Sequence, residues 1–106
     1  MDWKDTRVFL TGASSGIGEG LALDLAKRGA ILGLVARREE LLDDLASQCE
    51  MAGGQARGFA VDVTDAEAIR KAADDFRHEF DHIDVMIANA GISGGNPEAR
   101  ALSRRR

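Results

Sequence analysis

Two rhythms of apolar residues alternate along the chain. Short β-rich runs occur at 7–10 (RVFL), 30–36 (AILGLVA), 56–61 (ARGFAV) and 83–88 (IDVMIA). Between them apolar positions recur at helical spacing: over 17–28, over 39–51 with Leu41, Leu42, Leu45 and Cys49, and over 65–79 with Ile69, Ala73 and Phe76. Runs with few polar breaks fit strands, and spacing near 3.6 fits helices. The pattern predicts βαβαβαβ. Such alternation implies a parallel sheet with right-handed crossovers, and the almost wholly apolar run 30–36 suits a strand buried on both faces. The fold class is therefore α/β, a Rossmann-type three-layer arrangement with strand order 3-2-1-4. Gly29 and the Gly53–Gly54 pair stop the first two helices, and Thr64 with Glu67 reads as a capping box opening the third.

Composition narrows the picture without changing it. A chain of 106 residues makes one domain, and 44% hydrophobic with 30% charged residues is ordinary for a globular protein. A net charge of −4 argues against a nucleic-acid footprint, which is usually basic. The first eleven residues carry Asp2, Lys4, Asp5 and Arg7, so no signal-peptide core is expected, and 30–36 is too short to span a bilayer. No nucleic acid, no membrane and a cytoplasmic location are the expectations. The single cysteine, Cys49, falls on the apolar face of its helix and reads as packing. Past Ile92 the character changes: SGGNPEARALSRRR holds the one proline, two adjacent glycines and four arginines against one acid. The expected division is a nucleotide-binding half-domain over 1–93 and a poorly ordered tail over 94–106.

The candidate chemistry lies in VFLTGASSGIGEG, residues 8–20. A strand, a glycine-rich turn and a helix N-terminus make an anion site, because unpaired backbone N–H groups and the helix dipole both favour phosphate. Gly12, Gly16 and Gly18 follow Gly-x-x-x-Gly-x-Gly, without the Gly-Lys-Ser/Thr ending of a P-loop. By themselves the three glycines also fit a plain tight corner. The second strand adds to the case. A dinucleotide fold reads the adenosine ribose about 20 residues past the last glycine, with a carboxylate for NAD or an arginine for NADP. Here Ala36 ends the strand and Arg37 and Arg38 follow, groups matched to phosphate by charge and fork geometry. NADP is favoured over NAD.

TGASSGIG at 11–18, DVTD at 62–65 and NAG at 89–91, in this order within a βα alternation, resemble the short-chain dehydrogenase/reductase family over residues 5–93. The resemblance implies a Rossmann fold with the cofactor pyrophosphate over Gly12, Ser14, Ser15, Gly16, Ile17 and Gly18. It implies that Asp62 and Val63 contact the adenine and that Asn89, Ala90 and Gly91 line the cofactor near the ribose. Asp65 has a simpler role, favouring the dipole of its helix. Ala88 departs from the pattern, standing where many members carry a second asparagine.

Members of that family react through a tyrosine, a lysine four residues later and a serine. This sequence has no tyrosine, and Lys71 is its last lysine. Without a proton donor within reach of the substrate oxygen, the chain alone is not expected to turn over a carbonyl substrate. The reading is the NADP(H)-binding portion of an oxidoreductase acting on a carbonyl or alcohol, truncated before its catalytic residues. A non-catalytic dinucleotide-binding or sensor module is the alternative. HEFDH at 78–82 matches the zinc-protease pattern, but a helix end is expected between the two histidines, which leaves no paired ligands. With nothing paired beyond it, the fourth strand is expected to be a bare edge and a route to self-association.

Overall fold

The structure, a computed structural model, describes residues 2–89 and the backbone of 99–104. The order is β1 (Arg7–Thr11), α1 (Gly16–Lys27), β2 (Ile31–Ala36), α2 (Glu39–Ala52), β3 (Gln55–Ala60), α3 (Ala66–Phe80), β4 (Val85–Asn89) and β5 (Ala99–Arg104). The strands lie in the order β3-β2-β1-β4-β5, with the first four parallel. This is the Rossmann-type sheet of order 3-2-1-4 with one further strand.

Burial follows the apolar runs. Every residue of β2 is buried, because helices cover both of its faces. One face packs Val8, Leu10, Leu32 and Leu34 against Ala22 and Leu25 of α1 and Leu42, Leu45 and Cys49 of α2. The other packs Phe9, Ile31, Val35 and Phe59 against Ala72, Ala73 and Phe76 of α3. Phe76 centres an aromatic cluster, its ring centroid 5.8 Å from Phe9 and 4.9 Å from Phe80. Gly33 makes room for it, since a Cβ there would lie 2.8 Å from both Phe76 and Phe9 ring carbons. Desolvation in its core raises the Cys49 thiol to about 11, with a smaller push from the Glu50 carboxylate, so the thiol stays protonated packing.

Three details differ from the sequence expectations. Asp65, not Thr64, caps α3: its side chain accepts from the Ala68 N–H at 3.1 Å. Thr64 is committed elsewhere, its N–H and hydroxyl both donating to Asp62 Oδ1 at 2.9 and 2.8 Å. Glu67 pairs with Arg70. The second difference is β5. Within the stretch expected to be a poorly ordered tail, 99–104 runs antiparallel to β4 with Val85 opposite Arg104 and Asn89 opposite Ala99. The third follows from it: β4 is an interior strand, and the open edge on that side belongs to β5. The ladder groups that would have made β4 a template for association are paired within the chain. At HEFDH, α3 ends at Phe80, and the His82 ring lies between the carboxylates of Asp81 (3.1 Å) and Asp84 (2.9 Å).

Candidate functional site

Parallel register brings the C-terminal ends of four strands to one rim. Thr11 stands opposite Val35 and Ala88, and Ala36 stands opposite Ala60. The chain leaves β1 toward α1 on one face and returns to β4 through α3 on the other. The rim beside β1 is therefore the point where a doubly wound sheet reverses direction and where such sheets hold ligands.

The glycine loop crosses this rim, and its three glycines have three different reasons. Gly12 adopts φ +72°, and a Cβ there would lie 2.2 Å from the backbone oxygen of Asn89, so only glycine lets the loop rest on β4. Gly18 is buried, and its Cβ would lie 2.1 Å from the Gly12 oxygen, so α1 sits directly on the loop. Gly16 is the opposite case. Nothing lies within 4 Å of where its Cβ would be. The first turn of α1 thus presents open backbone, and the N–H groups of Gly16 and Ile17 have no acceptor inside the helix.

Polar contacts hold the loop in shape. Ser15 is the N-cap, its hydroxyl accepting from the Gly18 N–H at 3.2 Å and donating to the Gly12 oxygen at 3.0 Å. The Asn89 amide donates to that same oxygen at 3.2 Å and to Ser15 Oγ at 2.8 Å. Asn89 is only 3% exposed, and its Oδ1 has no hydrogen-bond partner among the described residues. Its side chain therefore braces the loop from beneath. The sequence had suggested only a lining residue there; an amide one strand away from a glycine turn was the available signal. Ala13 ties the loop to β2 through its N–H to the Val35 oxygen at 3.0 Å.

Gly12, Ser14, Ser15, Ala36, Arg37, Arg38 and Val63 line one groove of about 440 Å³. It joins the loop to the ends of β2 and β3, and none of these lining side chains is acidic. Asp62 borders it on the exposed loop after β3. Hydrogen bonds from the Thr64 N–H and hydroxyl, and then the nearby Arg37 guanidinium, hold its carboxyl below the usual carboxylate range. Ser14, Ser15, Arg37, Arg38 and Val63 are thus brought together with Gly12. Gly16, Ile17 and Gly18 follow in the first turn of α1, outside the groove lining, and Ala90 and Gly91 lie outside the described residues. Among the described residues no cluster of three or more His, Cys, Asp or Glu side chains suits a metal ion, and no helix is long and apolar enough to cross a membrane.

Comparison with known proteins places this arrangement. The family model described as short chain dehydrogenase matches residues 6–105. A fatty acyl-CoA reductase of Mycobacterium tuberculosis is 38% identical over 104 residues, covering 98% of this chain and 35% of that protein. An 11-beta-hydroxysteroid dehydrogenase A of Sesamum indicum is 45% identical over 86 residues, covering 80% of this chain and 25% of its own length. Among solved structures, the NADH-dependent reductase A1-R′ complexed with NAD superposes with a TM-score of 0.77 at 34% identity, over 84% of this chain and 37% of that one. The chain thus spans about a quarter to two fifths of the length of the relatives it matches. With a matched family model over nearly its whole length and the glycine loop set on a Rossmann-type sheet, the chain belongs to the short chain dehydrogenase family.

Proposed function

We propose that this chain holds a nicotinamide dinucleotide, NADP in preference to NAD, as the cofactor-binding portion of an oxidoreductase acting on a carbonyl or alcohol substrate. The observation that carries the reading is Gly16. It opens α1 onto free space next to Ser15, which lines a groove that continues to Arg37 with no lining carboxylate. A pyrophosphate fits there by charge, by the free N–H groups of Gly16 and Ile17 and by the room a side chain would fill. Arg37 and Arg38 suit a 2′-phosphate at the end of β2, and Asp62 and Val63 flank the adenine end. Asn89 keeps the loop in the shape that presents those N–H groups. When bound, the dinucleotide supplies the hydride or accepts it.

The NAD of the structural relative belongs to that protein; the preference here rests on the two arginines. The relatives' names also divide the labour. A fatty acyl-CoA reductase and a hydroxysteroid dehydrogenase share this stretch of sequence, which supports a cofactor role for it and a substrate role for residues elsewhere. The chain has no tyrosine to protonate a carbonyl oxygen, which fits binding rather than turnover by the chain alone.

Titration of the wild type with both cofactors is expected to show NADP binding more tightly by about 1.5–3 kcal/mol, the scale of a charge-assisted hydrogen bond. Arg37→Asp is expected to reverse the order. Equal wild-type affinities contradict the NADP assignment.

A further inference from the structure

We propose that Asp62 is a specificity-determining residue that works against the 2′-phosphate, lowering the discrimination for NADP that Arg37 provides. The inference deepens the dinucleotide reading above and rests on it. The geometry begins with the sheet. Ala36 and Ala60 are register partners at the ends of β2 and β3, and the Val61 N–H donates to the Ala36 oxygen at 2.9 Å. The two strands therefore release Arg37, one residue past Ala36, and Asp62, two residues past Ala60, onto the same rim, and Val63 and Arg37 line one groove.

The two arginines are not equivalent. Arg38 forms an ion pair with Glu40 at 3.4 Å, whereas Arg37 forms no salt bridge among the described residues. Arg37 is thus the one of the two with no competing carboxylate partner among the described residues. After the Thr64 hydrogen bonds, its guanidinium is a lesser cause holding the Asp62 carboxyl below the usual carboxylate range, and no salt bridge joins the two among the described residues. Two hydrogen bonds from Thr64 fix the carboxylate and keep it from swinging away. A phosphate monoester carrying nearly two negative charges at Arg37 meets that fixed carboxylate as a like charge, while NAD, with a hydroxyl at the same place, does not. The adenine and pyrophosphate are common to both cofactors, so the ratio of their affinities isolates the effect of Asp62 on the phosphate.

The test measures NADP and NAD dissociation constants for wild type, Asp62→Asn and Asp62→Ser by calorimetry at low and high salt, with thermal melts confirming that each variant folds. Asn keeps an acceptor oxygen for Thr64, and Ser covers the case in which that loop rearranges. Removing the charge is expected to raise the NADP-to-NAD affinity ratio by about three- to tenfold at low salt, the range for charges interacting near a wet surface. The gain shrinks as added salt shortens the screening length, a response that lost packing would not show. If both cofactors bind and the ratio is unchanged, falls, or rises independently of salt, this inference is wrong and the dinucleotide reading stands. If neither cofactor binds the wild type, both are wrong.

Discussion

Phe76→Ala is expected to remove about 3–5 kcal/mol of folding stability, the cost of truncating a buried phenylalanine in a core that only partly collapses. The ring is fully buried, and it joins α3 to the sheet through Phe9 and to the helix end through Phe80. Two helices cover the other face of the sheet, but on this face α3 is the one helix among the described residues, joined by Ile83 and Val61 from the connections. Domains of this size hold about 5–15 kcal/mol in all, so the variant loses a large share of that. Urea unfolding followed by circular dichroism checks the expectation. A loss below about 1 kcal/mol would mean that the aromatic cluster does not hold α3 in place.

The second large effect separates two glycines of one motif. Gly12→Ala forces a left-handed backbone on alanine and drives its methyl into the Asn89 oxygen. It is expected to cost about 3 kcal/mol of stability or more and to abolish dinucleotide binding. Gly16→Ala meets no protein atom. Its stability is expected to stay within about 1 kcal/mol of wild type, since a surface change with no clash is nearly neutral. Its methyl nevertheless occupies the room assigned to the pyrophosphate, and binding is expected to fall at least about tenfold, or 1.4 kcal/mol. Melting curves and cofactor titrations on the two variants check both halves. A Gly16→Ala protein that binds as tightly as wild type would remove the main support for the proposed phosphate position.

The sequence was most readable where one physical demand acts alone. Uninterrupted apolar character announced β2, because a strand covered on both faces tolerates no polar residue. Helical spacing of Leu42, Leu45 and Cys49 announced the inward face of α2, although Leu41, read together with them, is exposed. It was least readable where two residues compete for one role. Thr64 and Asp65 can both cap a helix, and the choice fell to Asp65 because Asp62, two positions before Thr64, had already engaged the threonine. Periodicity does not report such local competition. β5 was hidden for another reason. Its residues, ARALSR, have little β-propensity and follow a glycine- and proline-containing stretch. The strand forms by pairing with β4, a tertiary demand that local composition does not carry. The bracing role of Asn89 was hidden in the same way, since the Gly12 oxygen and Ser15 hydroxyl it holds lie more than seventy positions away.

The central claim is that a nicotinamide dinucleotide lies over the glycine loop at the start of α1. Amide hydrogen exchange of the chain, with and without saturating NADP, tests it most directly because it reports both binding and place. The account predicts slowed exchange across Gly12–Gly18 and around Arg37 and Arg38, with the far end of α2 near Met51 unchanged. No saturable protection anywhere, or protection confined to residues away from the loop, would contradict it.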